Sequence, residues 1–527
     1  MILTKYILSG SREETRALYY RGEATAKDGQ LVLKEGQTVS FDTYFNGFFY
    51  GAFSEVLQIE SISACVVSSG SFQFTLFVLD QNGKQQELIS RKVSGEQISA
   101  VLCAGKLSDL PPNGMLYVQA RALTGGVIYG GTFEISNAPQ RTVCVAAVIC
   151  TYHREDYVQK NLHRIREELM DSGENGVSDA LDCLVVDNGR TLPIERDSRV
   201  FVFPNVNYGG SGGFTRGIIE AYRRRDRYTH VLLMDDDISF EPEVLARTIR
   251  ILRLFEKREK PVCIGGQMLT ESTPTIQYEA GGNFVASRIQ SVAPGLNLSS
   301  REGLLANMVP RHRSFNSWWY CCFPLSEVER IGLPYPFFIK CDDIEYGLRM
   351  EPQLLLTNGI GVWHQDFSQK VSPYLEYYIK RNELVTSALH DGRNRLRNAM
   401  TKLIRAYGKA AIIGDTRNIP FIRKAYRDFL RGPSFFGETD EEELHREILV
   451  MNREPARNRV LACLTAPIYV LSDLINLTKS YSRIRESYIR DMKAYATVEF
   501  WCDHLKIDPI KKKEEKNRGE KMKQYHM

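Results

Sequence analysis

Three consecutive aspartates, Asp235-Asp236-Asp237, close the apolar run His230-Val-Leu-Leu-Met. A strand ending there turns Asp235 and Asp237 one way and Asp236 the other. Two carboxylates on one side, near an apolar wall, repel unless a cation lies between them. Hard divalent ions such as Mg²⁺ or Mn²⁺ take oxygen ligands and can bridge a diphosphate. The plainer alternative is an acidic turn capping the next helix, and Glu241-Pro242-Glu243 allows it. A second acid pair, Asp342-Asp343, follows the apolar run Phe337-Phe-Ile-Lys and opens an amphipathic helix with Ile344 and Leu348 on one face. A helix dipole would keep a carboxylate there ionised, as a general base for an attacking alcohol requires; an N-cap aspartate is the alternative. His364, in Gly361-Val-Trp-His-Gln-Asp, ends another strand-like run. It is either a structural histidine or an imidazole ligand beside an aspartate-bound metal.

Three further features bear on a ligand site. Asp187 ends the run Leu181-Asp-Cys-Leu-Val-Val-Asp, where a carboxylate could accept hydrogen bonds from a base or ribose, or simply form an Asp-Asn-Gly turn. The segment Asn205-Val-Asn-Tyr-Gly-Gly-Ser-Gly-Gly-Phe-Thr-Arg lies between a strand and a helix around 217–225. Its glycines could expose amides to an anion or make a tight turn. It lacks the Gly-Lys-Ser/Thr of a Walker loop, and Thr215 interrupts a dinucleotide fingerprint begun by Gly210 and Gly212. Trp318 and Trp319 would face opposite ways on a strand, so that at most one stacks on a sugar while the other packs inward.

Elements that alternate between strand and helix must position these groups. Val143-Cys-Val-Ala-Ala-Val-Ile-Cys is a continuous apolar run, expected of a strand covered on both faces. A helix over 157–170, the Leu181 run, Val200-Phe-Val-Phe and the His230 run follow. This order predicts a mostly parallel α/β sheet with ligands at its carboxyl edge. Residues 1–138 carry short β-branched and aromatic runs punctuated by Gln81-Asn-Gly and Pro111-Pro-Asn-Gly, which predict a β-sandwich or jelly roll. Residues 139–375 form the expected catalytic domain, 376–505 a helical domain, and 506–527 a basic tail, either a solvated run or a surface drawn to anionic membrane. At 527 residues several domains are expected. A net charge of +4 is too mild to argue for nucleic acid. The N-terminus reads as lacking a signal peptide, no run is long enough to span a bilayer, and eleven scattered cysteines suit reduced thiols.

The motifs Cys150-Thr-Tyr-His-Arg, Val185-Val-Asp-Asn, the glycine segment, Met234-Asp-Asp-Asp, Cys341-Asp-Asp-Ile-Glu-Tyr-Gly and Trp363-His364 occur in an order that resembles inverting GT-A glycosyltransferases of family 2. More narrowly, the chain resembles bacterial galactofuranosyltransferases of the type that polymerises cell-wall galactan. The likeness extends to Ser40-Phe-Asp-Thr-Tyr-Phe-Asn and Tyr377-Tyr-Ile-Lys-Arg-Asn. It implies a Rossmann-like GT-A domain in which Asp235, Asp237 and His364 hold Mn²⁺ or Mg²⁺ on a UDP diphosphate. It also implies that Thr151, Arg154, Asp187, Asn207, Gly209, Gly210 and Asp236 line the nucleotide-sugar site. Asp343 would be the general base with Asp342 beside it, and Glu279, Trp318 and Trp319 would shape the sugar and acceptor pockets. His153-Arg-Glu departs from the family's Asn-Arg-Pro, and Cys341 replaces a frequent aromatic, which leaves the acceptor open.

The reaction so implied is inverting transfer of galactofuranose from UDP-galactofuranose to a hydroxyl of a growing cell-surface glycan. The expected acceptor is lipid-linked, met at the cytoplasmic membrane face by a chain attached peripherally; a homo-oligomer stays open. The alternatives are a pyranose donor such as UDP-glucose, UDP-galactose or dTDP-rhamnose, a non-catalytic carbohydrate-binding protein, and, more remotely, a nicotinamide oxidoreductase.

Overall fold

The computed structural model describes residues 1–8, 13–53, 59–173, 176–193, 198–255, 260–366, 372–392, 395–413, 416–453 and 459–510. The basic run beginning at Lys511 lies outside the described residues.

The N-terminal region is antiparallel, as expected of a sandwich or jelly roll, and its ten strands are hydrogen-bonded into one continuous sheet. The reason is the length of two strands, Ser61–Leu79 and Gln85–Lys106, which pair almost throughout. Strand Gly126–Ile135 pairs with the first half of Ser61–Leu79 and Met115–Ala122 with the second. The register shifts between Ser68 and Gly70, where Gly70 has φ +113°, so the long strand bends and serves both layers.

The central sheet runs in the order Val200–Pro204, Leu181–Asp187, Val145–Thr151, His230–Asp235, Tyr320–Pro324, Val262–Gly265, Gln353–Leu355. The first four strands are mutually parallel, and Tyr320–Pro324 is antiparallel to both neighbours. Leu181–Asp187 is buried at every residue, as a strand covered on both faces must be. One face packs against the N-terminal region in a shared core that runs from Leu3 to Trp363. The other packs against the helix Gly209–Arg223 and the late helix Val498–His504.

A smaller sheet, Ile238–Phe240, Gly361–His364, Gln267–Thr270, Gln277–Glu279, flanks the carboxyl end of the central one. Its pairing matters because it joins segments more than a hundred residues apart. From Pro373 onward the described chain is helical, with a core of its own that includes Phe337 and Phe338. No helix among the described residues is long and apolar enough to cross a membrane.

The glycines of the segment 209–217 lie inside a helix, Gly209–Arg223, rather than in a loop before it. They let that helix sit close to the strand Val145–Thr151. A Cβ at Gly213 would overlap Cys150 Sγ, and one at Gly217 would overlap Val148 Cγ1. Helix propensity alone would favour Gly217→Ala by about 1 kcal/mol. Val148 is β-branched and buried and has little freedom to yield. Gly217→Ala should therefore lower stability by about 1–3 kcal/mol, read as a fall in the urea midpoint; a rise would refute this close packing.

Candidate active site

The parallel strands deliver their last residues to one edge. In register, Thr151 lies beside Asp187 and Cys150 beside Asp235. The small sheet then completes the cluster. Ile238–Phe240 pairs antiparallel with Gly361–His364, and Ile238 stands opposite His364. This register brings the imidazole of His364 next to Asp237. His364 Nε2 lies 3.2 Å from Asp237 Oδ1 and 3.7 Å from Asp235 Oδ2.

One ligand atom from each of Asp235, Asp237 and His364 fits within a 4.8 Å span. His364 Nδ1 donates to the carbonyl of Gln365 at 2.6 Å, which aims Nε2 at the two carboxylates, the usual outer-shell support of a metal-binding histidine. Two carboxylates and one imidazole suit an ion such as Mn²⁺. Burial raises the Asp235 pKa to about 6, against the pull of His364 and with the push of Asp237 and Asp236. Burial lowers the His364 pKa, but its hydrogen bond to Asp237 and the charges of Asp235 and Asp237 outweigh it, and the net shift is upward. The strand ends at Asp235, and Asp236 and Asp237 lie in the turn that follows, where Asp236 takes other partners. It accepts from Thr151 Oγ1 at 2.8 Å and from Arg154 Nη1 at 2.9 Å. The same Arg154 nitrogen lies 2.6 Å from Asp237 Oδ2. Thr151 and Arg154 are thus brought to the acid cluster itself, and both bind Asp236.

The second acid pair begins the helix Asp342–Met350. Asp342 Oδ2 accepts from Ser211 Oγ at 2.8 Å, and Asp343 Oδ1 accepts from the Ile344 amide at 2.8 Å. Burial and the charge of Asp343 push the Asp342 pKa up to about 7. Burial also raises that of Asp343, opposed by hydrogen bonds from Ser317 and the Ile344 amide and by the charge of Lys340. Lys340 acts on Asp235 in the same sense, so its charge reaches both acid clusters. Glu279 belongs to this neighbourhood. Its carboxylate accepts from Ser291 Oγ at 2.5 Å and is hydrogen-bonded by Ser317; burial, and Asp343 nearby, bring its pKa to about 7.

Several anticipated residues are committed to other contacts. Asp187 is 1% exposed and accepts from three backbone amides, Gly189 at 2.9 Å, Thr191 at 2.7 Å and Leu192 at 2.8 Å. This is the turn-forming alternative: the carboxylate shapes the loop after its strand. Two amides of the glycine segment are taken up within the chain. Gly209 N donates to Asn207 Oδ1 at 3.2 Å, and Ser211 N to the Phe338 carbonyl at 3.0 Å. Gly209, at φ +65°, must be glycine because a Cβ would strike the Phe338 carbonyl; Gly210 lies against Asp342. Trp318 and Trp319 do face opposite ways, into different cores. Trp318 meets Phe214 and Tyr346 edge-on, and Trp319 Nε1 donates to the Gly266 carbonyl. Each is 5% exposed, so both are chiefly packing residues here. Sequence reasoning missed Ser211, Ser317 and Lys340, which touch or act on the acids, because single serines and a lysine carry no pattern of their own.

No family model matches the chain. Among curated proteins it is 26% identical over 458 residues to the galactofuranosyltransferase GlfT2 of Mycobacterium tuberculosis, a match covering 80% of this chain and 69% of that protein. It is 27% identical over 454 residues to GlfT2 of Mycolicibacterium smegmatis, covering 80% and 68%. Among solved structures, the mannosyltransferase PcManGT from Pyrobaculum calidifontis, in complex with GDP-Man and Mn²⁺, aligns at a TM-score of 0.31 and 9% identity over 65% of this chain and 89% of that one. With two curated relatives matched over four-fifths of its length, the chain is a glycosyltransferase related to the galactofuranosyltransferases.

Proposed function

We propose that the protein transfers galactofuranose from UDP-galactofuranose to a hydroxyl of a growing cell-surface glycan, with inversion, on a GT-A catalytic domain spanning 139–375. The observation that carries this reading is the pairing of two acid clusters at one sheet edge. Asp235, Asp237 and His364 offer a divalent-cation donor set, and Asp342 and Asp343 offer a base beside it, with Lys340 acting on both.

In this reading Asp235, Asp237 and His364 would hold Mn²⁺ or Mg²⁺, which would neutralise diphosphate charge. Arg154 gives up its ion pair with Asp237 and remains on Asp236, where it is aimed at the nucleotide side. Asp343 accepts the proton of the acceptor hydroxyl while that oxygen bonds to the anomeric carbon. The bond from that carbon to the diphosphate breaks on the opposite face, and UDP departs with the electron pair. One displacement gives one inversion. Asp343 suits the base better than Asp342, because Ser317, the Ile344 amide and Lys340 favour its ionised form, whereas Asp342 holds a proton to about pH 7. Glu279, sharing Ser317 with Asp343, lies where an acceptor hydroxyl could be oriented. A lipid-linked acceptor reached at the cytoplasmic membrane face completes the proposal.

The experiment that tests it is manganese-dependent release of UDP from UDP-galactofuranose, UDP-galactopyranose, UDP-glucose and dTDP-rhamnose, each with a galactofuranose-ended acceptor. Selective use of the furanose donor supports the proposal; selective use of another donor overturns the sugar assignment. Asp343→Asn should cut turnover by about 10²–10⁴-fold while manganese-linked UDP binding, measured by calorimetry, persists. Asp237→Asn should instead abolish the manganese dependence of that binding. A carboxyl is a base only when ionised, and burial raises these two. kcat/KM should therefore climb with pH as Asp343 ionises, above the ordinary carboxylate range. In Asp342→Asn, which leaves Asp343 beside a neutral group, that climb should persist; its loss would make Asp342 the base.

A further inference from the structure

The segment that leads into the second acid pair has an unusual backbone. Phe338, Lys340 and Cys341 have φ of +67°, +69° and +67°, a left-handed region that side chains other than glycine rarely adopt. Such strain persists only where surrounding contacts over-determine it. Here the contacts fall on four consecutive carbonyls. The Phe338 carbonyl accepts from the Ser211 amide at 3.0 Å. The other three all accept from one nitrogen, Asn382 Nδ2, which donates to Phe337 at 3.1 Å, Ile339 at 2.9 Å and Lys340 at 2.9 Å. Nδ2 carries two hydrogens, so one of them is shared between two carbonyls.

Asn382 is itself held. Its Oδ1 accepts from Arg381 Nε at 2.9 Å, and Arg381 Nη2 donates to the Phe337 carbonyl at 2.9 Å. Arg381 Nη1 donates to the Tyr377 hydroxyl at 3.2 Å, which in turn donates to Asp428 at 2.8 Å. The Arg381 guanidinium lies 5.2–5.4 Å from the ring centres of Tyr377, Tyr378, Phe435 and Phe436, an arrangement that favours a cation. Asn382 is fully buried and Arg381 1% exposed. Both sit on the helix Pro373–His390, outside the central sheet and with no place in the chemistry above.

We propose that Asn382, oriented by Arg381, is a positioning residue for the reaction: it clamps the strained 337–341 backbone and so sets where Asp342 and Asp343 meet the donor. The clamp rests on the reading of Asp343 as the base. An amide is needed at this position, since three carbonyls require a donor that carries two hydrogens in one plane. Asparagine therefore cannot be replaced there by aspartate or alanine without releasing the loop.

The test is Asn382→Ala in the full chain, assayed by steady-state kinetics, manganese-linked UDP calorimetry and hydrogen–deuterium exchange. The expected result is a fall in kcat of about a hundredfold, the scale for a misplacement of about 1 Å, with UDP affinity unchanged. Exchange should quicken over 338–345, while the strand Leu181–Asp187 keeps its protection. Adding Cys341→Gly, which removes the side-chain penalty of a positive φ, should restore part of the lost kcat. A merely structural asparagine would lower the melting temperature and leave kcat per folded molecule unchanged, with no rescue by the glycine; that result overturns the proposal. So does wild-type exchange over 338–345. If Asn382→Ala fails to fold, Arg381→Lys replaces it, because lysine lacks the fork that reaches Asn382 and Phe337 together, and the same outcomes decide. Absence of transfer by the wild-type protein would count against the functional reading, while exchange would still decide the clamp.

Discussion

Five aspartates brought to one edge of a sheet, two of them buried and three partly so, repel one another, and the site is organised around that repulsion. Asp235 ends one strand, Asp236 and Asp237 form the turn after it, and Asp342 and Asp343 begin a helix. Without compensation, burial would drive these carboxyls to take up protons, as the raised pKa values of Asp235 and Asp342 show. The protein supplies partial answers: Arg154 between Asp236 and Asp237, His364 against Asp237, Lys340 near both groups, and hydroxyls from Thr151 and Ser211. A divalent cation at Asp235, Asp237 and His364 would complete the neutralisation, and the residual negative charge is what gives such an ion its affinity.

Everything else in the fold can be read as delivering those charges. The parallel strands set the level of the edge, and glycines at 209, 213 and 217 let a helix lie close behind it. The small sheet returns the chain from Gly361 to put His364 opposite Ile238. The C-terminal helices hold the carbonyls that lead into Asp342. The N-terminal sheet shares one core with the central sheet and is joined to it by polar contacts: Tyr44 donates to Gln267 at 2.9 Å, and Arg247 donates to the carbonyls of Lys5 at 2.6 Å and Gly359 at 3.0 Å.

Much of this was legible in the residues. The buried strands announce themselves as unbroken apolar runs, and aspartates at their ends necessarily meet at one edge. The separate role of Asp236 is set instead by a turn, since the strand stops at Asp235 and strand alternation does not reach the next two aspartates. What could not be read depends on long-range pairing. The register that seats His364 beside Asp237 joins residues far apart in the chain, and no local pattern encodes it. Asp187 shows the same limit: whether it faces a ligand or its own loop depends on where three following amides point. Glycine signals backbone freedom and close approach equally, and at Gly213 and Gly217 close approach decides. The long pairing of Ser61–Leu79 with Gln85–Lys106 was equally hidden, because glycines mark bends as well as strand ends. Arg381 and Asn382 belonged to a motif matched by resemblance, but their role appears only once the 337–341 carbonyls are seen around one amide.

The central claim is that the repulsion at Asp235, Asp237 and His364 is resolved by a divalent cation that serves a nucleotide diphosphate. Anomalous scattering from crystals grown with Mn²⁺ and UDP tests it most directly. A manganese peak bounded by Asp235, Asp237 and His364 and touching the diphosphate is expected, with Arg154 withdrawn from Asp237. Diphosphate bound with no manganese at these residues, and Arg154 still paired to Asp237, would contradict it.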